Sequence, residues 1–134
     1  MLQLIIQDID QSILVDEYDL ARKGLSYTVD TVRYLKEKYS HYSISMVIGA
    51  DQLIKFEQWK DYLDIIKSVH IIGIPRKDYN FIPITDMNFT WIENFNMDIS
   101  SDKIRRDIAL GTLNEGDIIP SVKDYIIENK LYGY

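Results

Sequence analysis

The amino-acid sequence predicts an α/β fold built on a parallel, doubly wound sheet. Three observations carry this expectation. Two apolar runs read as strands, residues 43–48 (SISMVI) as a compact one and 69–74 (VHIIGI) as a buried one. They alternate with segments of helical periodicity long enough to cross from one parallel strand to the next. Gly49 and Pro75 then punctuate the ends of the two runs.

Taken in order, Leu2, Ile5, Ile6 and Ile9 recur at helical spacing, so the chain opens on an amphipathic helix with no capping residue before it. A short β-rich run covers 12–18, and an Arg-Lys-Gly turn follows at 22–24. Thr28, Val32, Leu35 and Tyr39 form the next helical stripe, with Ser26 or Thr28 as its cap and Asp30 in its first turn. After the strand 43–48, a helical pair covers about 51–56 and 61–68, and the second strand runs into Pro75. Residues 77–88 read as a loop and 89–93 as a third strand. A helix then starts within 98–101 and continues to about Leu110. Pro120 stands where a helix start tolerates it, and the last helix runs to about Lys130.

Composition bounds the function. A chain of 134 residues is long enough for one domain with a real core, and the expectation is a single domain over 1–134. Its hydrophobic fraction of 46% excludes disorder, and no apolar run is long enough to span a bilayer. The start carries no secretory pattern, and the absence of cysteine excludes disulfides and Cys-built metal sites. A cytoplasmic location follows as the expectation. Lys and Arg number 15 against 21 Asp and Glu, a net charge of −6. Such a chain has no surplus cation to displace phosphate counterions, so a nucleic-acid partner is not expected. A phosphorylated ligand must be held by a few placed Arg, Lys and backbone N–H groups.

Three segments carry candidate chemistry, and each also has a plain structural reading. In GLSYTVDT (24–31), a Gly turn before a helix offers N–H groups to a phosphate, with Ser26 and Thr28 adding hydroxyls. The plain reading is an ordinary capped helix, which spacing alone favours. In IGADQLIKFEQW (48–59), Gly49 lets a ligand approach the backbone closely. Asp51 can accept from a ribose hydroxyl, and Trp59 can stack on a flat ring; alone, they read as a helix cap and a packed aromatic. In DISSDKIRRDI (98–108), Ser100 and Ser101 at a helix start, with Arg105 one turn on, make an anion cradle. Its plain reading is a Ser-capped surface helix with Arg105 paired to Asp102 or Asp107. His41 reads as a surface residue and His70 as a satisfied core histidine; neither stands at a metal or acid–base spacing.

Together, in this order, the segments resemble the bacterial nicotinate-nucleotide adenylyltransferase family of the nucleotidyltransferase superfamily. The similar stretches are SYTVDT (26–31), GADQLIKFEQW (49–59), IPR (74–76), DISSDKIR (98–105) and IPSVKDYIIENKLYG (119–133). SYTxDT with GADxLxxxxxW is specific to the family, whereas ISSxxIR is shared more widely in the superfamily. The resemblance implies a Rossmann-like sheet of the nucleotidyltransferase type. It also implies transfer of AMP from ATP to nicotinate mononucleotide, giving deamido-NAD and pyrophosphate, with Mg²⁺ on the phosphates. Ser26, Tyr27 and Thr28 would hold the pyridine mononucleotide, and Trp59 would stack on its nicotinate ring. Gly49 and Asp51 would contact the bound nucleotide, and Arg76 would lie near its carboxylate. Ser100, Ser101 and Arg105 would bind the phosphates of ATP, with Arg105 also stabilising the charge of transfer. No protein side chain is assigned to a metal.

The sequence departs from the family pattern in two places. The family opens with a strand, a G-G-x-F-D/N-P turn and an H-x-G-H motif whose histidines bind the ATP phosphates; neither motif stands in this sequence. In a sheet of order 3-2-1-4-5 the missing strand would be central, leaving an open edge. The expectation is thus the C-terminal portion of a family domain, N-terminally truncated, inactive as this chain alone and prone to self-association as a homo-oligomer. The alternative is a non-catalytic relic that binds a mononucleotide, or an assembly module. A nucleotidyltransferase for phosphopantetheine is a third possibility, against which Trp59 and SYTVDT argue. The second departure is Asp102, where the family usually carries Thr; a carboxylate there would repel an ATP phosphate.

Overall fold

A computed structural model describes the chain except for residues 10, 11, 77, 78, 93, 94, 96–99, 115 and 134 and the side chains of 7–9. The elements in order are α1 (Leu2–Ile9), α2 (Tyr18–Ala21), α3 (Thr28–Lys38), β1 (Ser45–Gly49), α4 (Ala50–Leu53), α5 (Tyr62–Ser68), β2 (His70–Ile74), β3 (Phe89–Trp91), α6 (Ser101–Leu110) and α7 (Pro120–Glu128). Short 3₁₀ turns cover Phe56–Gln58 and Leu131–Gly133. The chain divides into two compact units, Glu17–Asp98 on the one hand and Met1–Asp16 with Ile99–Tyr134 on the other.

The Glu17–Asp98 unit contains the sheet. Its strands are parallel and lie in the order β1-β2-β3. β1 and β2 pair from Ser45↔His70 to Gly49↔Ile74, and β2 and β3 from Ile71↔Phe89 to Gly73↔Trp91. This is the parallel α/β architecture that the alternating pattern predicts. The central strand is buried at alternate positions, including Ile71, and helix residues Val29, Val32, Leu53, Ile65 and Ile66 close over the core with Phe56. Phe56 is fully buried in a three-residue turn of little intrinsic stability. Burial of such a side chain contributes about 1.5–3 kcal/mol, so packing rather than local propensity holds that turn. Gly73 is needed where it stands. A Cβ there would lie 2.6–2.8 Å from the rings of Phe89 and Trp91, which occupy the space a side chain would need.

The start of α3 follows the sequence in placing Asp30 in the first turn and Lys36 and Lys38 in the last, each complementing the helix dipole. Its cap does not follow. Tyr27 occupies the capping position with no side-chain bond, and the Ser26 hydroxyl instead donates to Asp19, which also accepts from Thr31 at 2.8 Å. The run 12–18 is not a strand either; Tyr18 already begins α2. Strand character needs a neighbouring strand for its N–H and C=O groups, and among the described residues nothing pairs with this run or with the outer edge of β1. β1 starts two residues later than expected, and β3 ends at Trp91; Glu93, the expected end, lies outside the described residues.

The second unit is helical. Ile108, Val122 and Ile126 form its buried centre, with Ile5, Ile104 and Leu113 packed against them. Ser100 caps α6, its Oγ accepting the Lys103 N–H at 3.2 Å. Gly111, at φ +66°, closes the other end in the left-handed conformation. Pro120 opens α7 as predicted. Among the described residues, no helix is long and apolar enough to cross a membrane.

Candidate functional site

In a parallel α/β sheet, ligands sit beyond the carboxyl ends of the strands, and two expected site residues meet there. Gly49 ends β1 and stands in register with Ile74, the last residue of β2; Asp51 and Arg76 follow two residues beyond each. The Arg76 Nε lies 3.2 Å from the Asp51 Oδ1. Both side chains fold close to Gly49, where a Cβ would come within 2.6 Å of the carboxylate and 3.5 Å of the guanidinium. Gly49 has ordinary extended dihedrals, φ −73° and ψ 149°, so space rather than backbone freedom requires glycine. The pair is partly exposed, which limits its strength to about 0.2–1 kcal/mol, little enough for a ligand to open it.

The first and second segments also converge. Tyr27 stands directly before α3 and is 37% exposed as a residue. The Lys60 ammonium lies over that ring, 4.3 Å from its centroid. Trp59, the neighbour of Lys60, is half-buried and leans on Phe56 with ring centroids 5.0 Å apart. The Lys60 ammonium thus joins Tyr27 to the turn that carries Trp59, a corner in which the ring contact of Trp59 is with Phe56. Thr28 is half-buried as the first residue of α3. Ser26 has committed its proton to Asp19 and can serve a ligand as an acceptor.

An ion network lies beside this corner. Arg22 meets Asp30 at 3.0 Å, and Arg33 reaches Asp64 at 2.6 Å, with Asp30 and Asp61 each at 3.5 Å. The hydrogen bond from Arg22 holds the Asp30 carboxyl below the usual carboxylate range; partial burial opposes this, and the charges of Lys60, Arg22 and Arg33 add to it. Residues Tyr18, Arg22, Asp30, Arg33, Tyr34 and Glu37 line a cavity of about 470 Å³ at this place. Sequence reasoning missed both the network and Lys60. Partners eight and thirty-one residues apart leave no periodic signal, whereas a cation next to a candidate stacking Trp was available to be read.

In the helical unit, Ser101 is exposed in the first turn of α6, behind the Ser100 cap. Arg105, one turn on, bonds to the Asp102 Oδ1 at 2.7 Å and lies over the Tyr132 ring at 6.0 Å. The plain pairing weighed for Arg105 is therefore present, and a phosphate would have to displace Asp102. Asp98, the first residue of DISSDKIR, lies outside the described residues. His41 is exposed. His70 bonds Thr90 through Nε2 at 2.9 Å and begins β2, at the opposite end of the strand from the site, as a satisfied structural histidine.

Residues 1–107 match the Cytidylyltransferase-like family. The chain is 37% identical over 133 residues to a probable nicotinate-nucleotide adenylyltransferase of Borrelia hermsii, covering 98% of this chain and 68% of the relative. It is 31% identical over 137 residues to a protein of the same description from Leptospira interrogans, with the same coverage of 98% and 68%. Among solved structures, Plasmodium falciparum nicotinic acid mononucleotide adenylyltransferase complexed with APC aligns over 98% of this chain and 72% of its own, with a TM-score of 0.77 at 21% identity. Its complex with NaAD aligns over 97% and 70%, with a TM-score of 0.71. At that identity the likeness is one of fold, a Rossmann-like nucleotidyltransferase sheet. The chain spans 68% of the length of each of these two curated relatives.

Proposed function

Because this chain belongs to the nicotinate-nucleotide adenylyltransferase family, we propose that it serves adenylyl transfer from ATP to nicotinate mononucleotide, giving deamido-NAD and pyrophosphate in NAD biosynthesis. The observation that carries the reading is the aromatic corner, where Tyr27 of SYTVDT meets the turn that ends GADQLIKFEQW. Val29, Leu53 and Phe56 already bring the two segments together in one core; that packing does not by itself call for a Tyr and a Lys at its rim. A flat, negatively charged ring is what such a corner accommodates.

The chemistry asks little of the protein beyond placement. A phosphate oxygen of the mononucleotide attacks the α-phosphorus of ATP in line, and pyrophosphate leaves with the bonding electrons. No protein nucleophile takes part, so the chain contributes positioning and charge stabilisation. In this reading Ser26, Tyr27 and Thr28 hold the mononucleotide and Trp59 stacks on its ring. Gly49 gives the nucleotide room, and Asp51 accepts from a ribose hydroxyl once Arg76 releases it. Ser100, Ser101 and Arg105 take the phosphates of ATP, with Arg105 exchanging the Asp102 carboxylate for phosphate oxygen. ATP enters as its Mg²⁺ complex, the ion being carried on the phosphates; among the described residues, no three acidic or histidine side chains converge to cage a metal. A cytoplasmic location and a single functional domain over 1–134 belong to the same proposal.

A second reading, binding of the mononucleotide without catalysis, draws on one observation: Arg105 is already satisfied by Asp102 at 2.7 Å. Pyrophosphate release with nicotinate mononucleotide, ATP and Mg²⁺ separates the two. Release that needs both substrates supports adenylyl transfer. Release only from a version extended upstream to carry the H-x-G-H motif still supports adenylyl transfer. Binding of the mononucleotide with no release from either version favours the second reading, and absence of both from both versions sinks each of them.

A further inference from the structure

We propose that Lys60 selects a pyridine ring bearing a carboxylate over one bearing an amide, with its ammonium facing the ring acid. This rests on the reading above, in which Tyr27 and Trp59 frame the pyridine mononucleotide. The starting point is where the unneutralised charge lies. Arg22 is closed on Asp30 at 3.0 Å, Arg33 on Asp64 at 2.6 Å and Arg76 on Asp51 at 3.2 Å. Lys60 makes no ion pair with any described residue, and its ammonium rests on the Tyr27 ring instead. The Asp30 carboxylate feels the Lys60 charge but is itself closed on Arg22, so an arriving carboxylate gains a partner without first breaking a salt bridge to Lys60.

The backbone holds this cation in place. Asp61, the next residue, adopts the left-handed conformation at φ +49°, which turns the chain sharply between the 3₁₀ turn and α5. The Asp61 carboxylate is drawn towards Arg33, at 3.5 Å, and so does not neutralise its neighbour. Lys60 therefore stays in the turn beside Trp59 with its side chain across Tyr27. Arg76, the cation that the resemblance places near the carboxylate, starts from its pair with Asp51 at the strand ends and is freed only when a ligand opens that pair. Of these two cations, the one at the aromatic corner is Lys60.

An ammonium discriminates acid from amide because the two rings have nearly the same shape and differ by one charge. With the acid it forms a charge-assisted hydrogen bond; with the amide it meets only a carbonyl dipole. Lys60 is exposed, so screening holds the preference to about five- to tenfold, and raised salt reduces it.

The test is calorimetric titration of the 134-residue protein with nicotinate mononucleotide and with nicotinamide mononucleotide, at low and high salt. It compares wild type, Lys60→Met, Lys60→Arg and Trp59→Ala. The expected result is a preference of about five- to tenfold for the acid in wild type, lost in Lys60→Met through weaker binding of the acid alone and kept in Lys60→Arg. An unchanged preference in Lys60→Met overturns the assignment. If wild type binds both forms equally and Trp59→Ala binds neither, the pyridine site stands and the role of Lys60 is refuted. If wild type binds neither form, the pyridine reading itself fails and the Lys60 assignment fails with it.

Discussion

Arg76 and Asp51 close an ion pair of 3.2 Å across the carboxyl ends of two neighbouring parallel strands, against the backbone of Gly49. The residues lie 25 positions apart, yet the register Gly49↔Ile74 brings them together. The absence of a side chain at Gly49 leaves room for the pair and, in the function proposed above, for a nucleotide once the pair opens.

Gly49→Ala should therefore separate binding from folding. The added methyl meets the mobile end of Asp51 at 2.6 Å, which can swing away, and the backbone there is unstrained. We expect a stability loss of no more than about 1 kcal/mol in urea denaturation. Affinity for nicotinate mononucleotide should fall about tenfold or more, a change of ~1.4 kcal/mol. A loss of several kcal/mol in stability would mark Gly49 as structural instead.

Gly73→Ala should do the reverse. Its methyl would meet the rings of Phe89 and Trp91 at 2.6–2.8 Å in the interior of the sheet, where neither ring can move without disturbing the core. The expected destabilisation is about 2–3 kcal/mol, seen as an earlier urea midpoint with an unchanged slope. A midpoint within error of wild type would show that β3 repacks freely.

Asp102→Thr should release Arg105. The pair is exposed, with side chains 83% and 48% accessible, so stability should change by no more than about 0.5 kcal/mol. Binding of Mg²⁺-ATP should tighten severalfold, because a phosphate no longer competes with a fixed carboxylate. Weaker binding after the substitution would show that Asp102 assists the nucleotide, for example by helping to hold the Mg²⁺ that arrives with it.

The acid limb of stability should depend on Asp30. Its carboxyl sits below the usual range, chiefly because of the hydrogen bond from Arg22. A depressed folded-state value means that the contribution is complete above the unfolded value of about 3.9 and is lost as pH falls through the lower folded one. Thermal midpoints followed downward from about pH 6 should drop less steeply below about pH 4 in Asp30→Asn than in wild type. Parallel curves would remove Asp30 from the acid limb.

Much of this was legible in the residues themselves. The apolar runs around Ile48 and Ile71, the Gly and Pro that end them, and the Ser100, Gly111 and Pro120 punctuation are local signals, and the elements beside them followed within about two residues, whereas the helix expected over 51–56 ends at Leu53 and gives way to a 3₁₀ turn at Phe56. The SYTVDT, GADQLIKFEQW and DISSDKIR segments were equally legible, because their meaning lies in residue type and spacing. The failures have one cause in common. The run at 12–18 has strand composition, but a strand exists only with a partner, and Ser26 had the composition of a cap until Asp19, seven residues earlier, took its hydroxyl.

The sequence by itself determined the α/β class, the family and the residues able to carry chemistry, since periodicity, capping and motif spacing act within a few turns of chain. Tertiary structure alone decided which charges are available. Arg76 closes on Asp51 and Arg22 on Asp30, while Lys60 rests on the face of Tyr27 in no ion pair with a described residue. Ion pairing depends on distances of a few ångströms between residues far apart in the chain, and only the folded backbone sets them.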